Sequence, residues 1–192
     1  MQKESKVCRI KVDFGKKIGF IKPLHGINCG PLSEKGSVDL SSYYSDLNVP
    51  YIRLHDVPEV GIPAIDIHLV FPDFDADPNM PESYDFAWTD RYLETINKIG
   101  AGVIYQLGYS YEDPPVHNVP PKDYEKWESI YVHIVKHCND GWADGHHYNI
   151  RYWEIWNEPD LKGSWNGTAE QFFKLYNVTA TAIKQYDPSL KV

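Results

Sequence analysis

The sequence predicts an α/β fold in which parallel strands alternate with helices. Three observations predict it. Aromatic and β-branched runs at 49–55, 101–109 and 148–157 read as strands. Apolar residues at three- and four-residue steps between them, as in Tyr124, Trp127, Tyr131, Ile134 and Cys138, read as amphipathic helices. Strands that alternate with helices imply a parallel sheet. The chain has 192 residues, 42% of them hydrophobic, which is ample for one core.

In chain order, the alternation of Arg9-Ile10, Val12 and Phe14 over 6–14 predicts a short strand outside the main sheet, in an N-terminal lead-in covering 1–24. A first core strand spans 24–30 and closes at Gly30-Pro31, and a weak helix covers 37–47. The second strand, 49–55, carries Arg53 and His55 two residues apart, hence on one face. Residues 56–84, dense in Pro and Asp, predict a long loop without a clear helix. Loops of this length are often functional. Its carboxylates either meet substrate or a cation, or belong to a solvated irregular segment. Thr89 or Asp90 caps the next helix and Gly100 ends it. The third strand is 101–109, and Pro120-Pro121 opens the next helix. After the turn-rich link 140–145 comes the fourth strand, 148–157. Thr168-Ala169-Glu170-Gln171 is a capping box for a helix with Phe172, Leu175, Tyr176, Thr179, Ile183 and Tyr186 inward. Asp187-Pro188-Ser189 stops it, and Leu190-Lys191-Val192 begins a fifth strand.

Charge and composition exclude several function classes. Nineteen Lys and Arg against 27 Asp and Glu give a net charge of −8, and no basic patch favours nucleic acid. No apolar run approaches the roughly 18 residues of a membrane span. Met1-Gln2-Lys3-Glu4-Ser5-Lys6 lacks the apolar stretch of a signal peptide, which leaves secreted and cytoplasmic locations both open. Cys8, Cys29 and Cys138 are odd in number and far apart, so free thiols are expected. Asn166-Gly167-Thr168 and Asn177-Val178-Thr179 fit the glycosylation pattern, and chance explains both.

The chemistry concentrates in Trp153-Glu154-Ile155-Trp156-Asn157-Glu158-Pro159-Asp160, an aromatic strand that turns polar and is stopped by proline. The C-terminal tips of parallel strands are where α/β barrels place their catalytic groups. A glutamate beside bulky aromatic rings resists ionising, which suits a general acid. The alternative is a strand whose last polar residues reach solvent. Glu154, four residues back, reads as structural. His133 and His137 lie one helical turn apart, but no Glu follows His133 and their helix faces away from the strand tips, so no metal site is expected. His146-His147 reads as a solvated turn, and 140–145 has too few carboxylates for calcium.

Trp-Asn-Glu-Pro after an aromatic strand resembles the acid/base signature of retaining glycoside hydrolases built on (β/α)8 barrels. The chain looks most like family 39, which includes β-xylosidases and α-L-iduronidases. The likeness rests on Tyr51-Ile52-Arg53-Leu54-His55, on Val119-Pro120-Pro121-Lys122-Asp123-Tyr124-Glu125-Lys126-Trp127, on 153–161, and on Phe173-Lys174-Leu175-Tyr176-Asn177-Val178-Thr179-Ala180. It covers about 27–192. The resemblance implies a TIM barrel, of which 25–192 supplies the N-terminal half, about four and a half βα units. It implies Glu158 as acid/base and Asn157 as the residue that binds the sugar 2-hydroxyl. Arg53 and His55 would line the sugar pocket. A buried Arg pairs with carboxylates, and Arg53 either holds the nucleophile ionised or forms a structural salt bridge. Tyr109 and Trp165 are candidate sugar platforms. Gln106 stands where related xylosidases carry an acidic residue, a departure that blurs the sugar preference. The family's nucleophile, near the end of a seventh strand, has no counterpart in this chain. The expectation is therefore a carbohydrate-active enzyme without cofactor or metal, β-xylosidase-like, or with the same fold acting on a uronide or a β-glucoside. On its own, such a half barrel either only binds sugar or is inert, and its uncovered sheet edges favour self-association.

Overall fold

The computed structural model describes residues 8–110 and 112–192. The charged stretch Met1–Lys6 and Val7 of the expected first strand lie outside the described residues. The elements are β1 (Ile27–Asn28), β2 (Leu32–Ser33), β3 (Val38–Asp39), α1 (Ser41–Asp46), β4 (Tyr51–Arg53), α2 (Ile67–Val70), α3 (Ala87–Lys98), β5 (Gly102–Leu107), α4 (Tyr124–Asp140), β6 (Tyr152–Ile155) and α5 (Ala169–Tyr186). The main sheet has the order β1-β4-β5-β6 and every pairing in it is parallel. A further parallel bridge joins Tyr152 to Lys191, where a fifth strand was expected to begin. The α/β class and the sequential strand order agree with the reading of the sequence.

The sheet has two unlike faces because side chains alternate along each strand. Ile52, Leu54, Tyr105, Leu107, Trp153 and Ile155 are buried. Against them pack Trp127, Ile130, Tyr131, Ile134 and Cys138 of α4 and Leu175, Thr179 and Ile183 of α5. The other face carries Arg53, Gln106, Tyr152 and Glu154. Local chemistry sets the helix limits. Asp123 Oδ1 accepts from the Glu125 and Lys126 amides at 2.9 and 3.0 Å, capping α4, and Gly141 closes it with φ +76°. Thr168 and Gln171 form the expected capping box on α5.

Several expectations fail. Residues 8–14 form no strand, and Ile10, Val12 and Phe14 are exposed. Alternation describes side chains, but a strand also needs a partner for its backbone, and none is present among the described residues. A small antiparallel pair, β2 with β3, was not anticipated; it turns through Lys35 and Gly36, both at positive φ. α3 begins at Ala87, two residues before Thr89, which is buried. Tyr176 is exposed on α5. Residues 56–84 are neither helix-free nor solvated throughout: they contain α2, and Val57, Ile62, Ile65, Ile67, Val70 and Phe71 join the core, whereas Pro72, Asp73, Asp75, Asp77 and 79–82 are exposed. Asp66 is buried there and accepts from the Ser110 amide and hydroxyl at 2.8 and 2.6 Å. Asp73 and Asp77 cap their own turns through the Asp75 and Asn79 amides.

Beyond β6 the strand does not simply continue. Trp156 has φ +68°, a left-handed conformation that costs a bulky residue about 1–2 kcal/mol. The aromatic core holds it there. Its amide donates to the Leu107 carbonyl at 2.7 Å and its indole N–H to the Ser164 carbonyl at 2.8 Å. Tyr109 stacks on it, and Trp165 meets it edge-on at 5.0 Å. The floor of this seat is Gly108, itself at φ +118°, where a Cβ would lie 2.5 Å from Trp156 Cε3. Gly108→Ala is therefore expected to destabilise the protein by about 2 kcal/mol or more, read as a lower denaturant midpoint.

Candidate active site

Four strand ends bring polar groups together: Asn28 at the end of β1, Arg53 at the end of β4, Gln106 in β5 and Glu154 in β6. Arg53 is the hub. Its Nε and Nη2 donate to Glu154 Oε2 and Oε1 at 2.6 and 2.7 Å, a bidentate pair. Nη2 also donates to Asn157 Oδ1 at 2.9 Å, and Nη1 to Asn28 Oδ1 at 3.4 Å. The bonds it donates to Glu154, foremost among the causes, hold the guanidinium above its ordinary pKa. Glu154 is thus the carboxylate partner of Arg53. Period-two spacing along β6 could have placed it there, because Tyr152 and Glu154 share the face opposite Trp153 and Ile155.

Asn157 follows from this hub. A guanidinium only donates, so Arg53 fixes the Asn157 side-chain oxygen and turns the amide N–H group the other way. That group donates to Glu158 Oε2 at 3.5 Å. Asn157 is 7% exposed, whereas Glu158 is exposed and sits at φ +39°. The aromatic enclosure expected around Glu158 is therefore not formed by the described residues. The left-handed Trp156 sends its own ring into the core and leaves Asn157 and Glu158 at the strand tip.

His55 occupies the next position around the site. Its Nδ1–H donates to Gln106 Oε1 at 2.7 Å, and Gln106 Nε2 donates in turn to the Tyr109 carbonyl at 2.9 Å. His55 Nε2 lies 3.0 Å from Asp56 Oδ2. Burial raises the Asp56 carboxyl above the usual range; His55 and Arg53 oppose this, and Glu59 and Glu158 reinforce it. Asp56 went unnoticed in the sequence, although its place directly after Arg53-Leu54-His55 was a usable signal. Cys29 donates to the His55 carbonyl at 2.9 Å, and burial, with Asp56 and Glu59, pushes its thiol up to about 11.

Arg53, His55, Asn157 and Glu158 therefore gather at one end of the sheet. Tyr109 and Trp165 do not offer the expected ring faces: they are 2% and 3% exposed and build the seat of Trp156. Trp165 also donates to the Thr168 carbonyl at 3.1 Å. Beside the site, α2 and the loop after β5 bring His68, Glu112 and His117 together. The two imidazoles stack at 4.2 Å, and His117 Nδ1 meets Glu112 Oε1 at 2.9 Å. His68 also lines an apolar cavity of about 240 Å³ with Ile67, Phe71, Phe74, Val119 and Trp127.

The model of the glycosyl hydrolases family 39 matches residues 8–192. A β-xylosidase from Geobacillus stearothermophilus is 32% identical over 155 residues, 74% of this chain and 29% of that protein. A β-xylosidase from Caldicellulosiruptor saccharolyticus is 29% identical, over 97% of this chain and 40% of its own. The solved structure of a glucosidase from Croceicoccus marinus superimposes with a TM-score of 0.78 and 32% identity, covering 92% of this chain and 38% of that one. The chain thus spans well under half the length of the relatives it matches.

The burial of His68 makes one pH dependence readable. Burial, followed by the neighbouring His117, lowers its pKa from 6.5 to about 4, with Glu112 opposing. Between those values the unfolded chain takes up a proton that the folded chain refuses. His68 therefore supports the fold fully above about pH 6.5, and this support is lost as pH falls toward 4. Denaturant midpoints at pH 7 and pH 4.5 should diverge less in His68→Phe than in the unsubstituted protein.

Proposed function

Because the chain belongs to glycosyl hydrolase family 39, we propose that it carries the acid/base half of a retaining, β-xylosidase-like glycoside hydrolase. Glu158 protonates the leaving glycosidic oxygen, then removes the proton from the water that releases the sugar. Asn157 donates its amide N–H to the sugar 2-hydroxyl, a bond that strengthens as positive charge builds on the ring. Arg53 and His55 border the same pocket. Arg53 acts on Asn157 and is held by Glu154. The retaining reaction needs a second carboxylate about 5–5.5 Å from the first. We assign that nucleophile to a strand beyond β6 and to no residue of this sequence.

The observation that carries this reading is the fixed orientation of Asn157. Its oxygen is held by Arg53 at 2.9 Å, and its amide is directed to the side of Glu158. An Asn that merely ended a strand would not need a guanidinium, itself held by a bidentate carboxylate, to orient it. The β-xylosidase relatives support a β-xyloside as the substrate. A β-glucoside is the second reading, favoured by the 32%-identical glucosidase. Hydrolysis of a panel of aryl β-xylosides and β-glucosides by the protein that also carries the nucleophile separates the two.

In the protein that also carries the nucleophile, Glu158→Ala should lose most activity on substrates with poor leaving groups, on the order of 10²–10⁴-fold. It should keep more on activated aryl glycosides, where azide partly restores turnover. Unchanged hydrolysis by this variant refutes the assignment.

A further inference from the structure

On the helical layer, away from the strand tips, three side chains converge that the proposed reaction does not use. Asp90 lies in the first turn of α3, His137 in the last turn of α4, and His146 in the link from α4 to β6. His137 Nε2 is 2.7 Å from Asp90 Oδ1, and His146 Nε2 is 3.1 Å from the same oxygen. The three candidate ligand atoms lie within 4.8 Å of one another. The two imidazoles stand at 86°, so their in-plane lone pairs meet without stacking.

The hydrogen bonds of His137 make the arrangement unusual. Its Nδ1 faces the Trp142 carbonyl at 2.9 Å, and a carbonyl only accepts, so Nδ1 carries a proton. In the neutral ring Nε2 is then a lone pair, pointed at a carboxylate oxygen. Two acceptors 2.7 Å apart require a proton or a cation between them. His146 Nε2 is buried and has no hydrogen-bond partner, since its approach to Asp90 is not aligned for one. An imidazole whose Nδ1–H is fixed by a backbone carbonyl while Nε2 is free is how proteins orient metal-binding histidines.

We propose that Asp90, His137 and His146 form a site for a divalent transition-metal ion of the zinc class. Two imidazole nitrogens and one carboxylate select such an ion over magnesium or calcium, which take oxygen ligands. At metal–ligand distances of about 2.0–2.1 Å, tetrahedral ligand atoms are separated by roughly 3.3 Å. The observed 2.7 and 3.1 Å thus need to open by about 0.6 and 0.2 Å to reach that separation. His137 is fully buried, whereas Asp90 and His146 have side chains 32% and 29% exposed. The ion therefore has an entry path and a fourth position for water. Its role is to tie α3 and α4 to the link that leads into β6. His133, one helical turn before His137, is not among the three residues whose ligand atoms converge. His68 and His117 are less suited to a metal, since parallel rings at 4.2 Å direct their lone pairs along separate planes.

The test uses the purified protein after dialysis against chelator, titrated with zinc chloride against a competing chelator, with melting temperature recorded alongside. One zinc equivalent and a higher melting temperature are expected. His146→Ala, at a partly exposed position, should fold and weaken zinc affinity for that equivalent by more than about ten-fold. Asp90→Asn should do the same, and in neither variant should zinc raise the melting temperature. If the unsubstituted protein takes up no zinc, or if both variants bind it as tightly, the proposal is overturned and a proton joins His137 to Asp90.

Discussion

The geometry of the candidate site depends on one strained residue, Trp156, held in a left-handed conformation by the packing around it. A residue of this size reaches φ +68° only when its surroundings over-determine it. Here the Leu107 and Ser164 carbonyls fix its backbone and its ring, and Tyr109, Trp127 and Trp165 surround the indole. Gly108 leaves room beneath it. The consequence is a change of direction at the end of β6. Without it, regular alternation would carry Trp156 onto the polar face with Glu154, and Asn157 into the core.

The second layer of control is electrostatic. The polar face of the sheet holds one guanidinium among donors and acceptors from three other strands. Glu154 takes two of its N–H groups in parallel, so Arg53 has little freedom left when it meets Asn157. With 29% and 34% side-chain exposure the pair is only partly shielded from water, and its value lies in orientation more than in stability. His55 is restrained in the same manner by Gln106 on one side and Asp56 on the other.

Much of this was legible in the sequence. The strand–helix alternation, the capping box at Thr168 and the stop at Asp187-Pro188 are local signals, and each is found where expected. Arg53 and His55 lie two apart on the second strand, as the spacing implied, and Arg53 reaches Asn157 at 2.9 Å. The misreadings share a cause, since each concerned a side chain whose neighbours are distant in the chain. Alternation at 8–14 could not show that no strand pairs with it. Tyr109 and Trp165 are aromatic residues near the strand tips, and only packing shows that they wall in Trp156. His146 read as a solvated turn, but it sits at a carboxylate 56 positions earlier in the chain. The Asp-rich run 56–84 looked polar because its acidic residues are conspicuous, whereas the isoleucines and valines between them enter the core.

The central claim is that the aromatic seat of Trp156 acts on function through Asn157. A double-mutant cycle on kcat/KM with Trp156→Phe and Asn157→Ala, in the protein that also carries the nucleophile, tests it most directly. Phe keeps a ring but loses the N–H bonded to the Ser164 carbonyl. If the seat positions Asn157, its loss will cost less once the seat is disturbed, with a coupling of about 0.5–3 kcal/mol. Strictly additive effects would contradict the account.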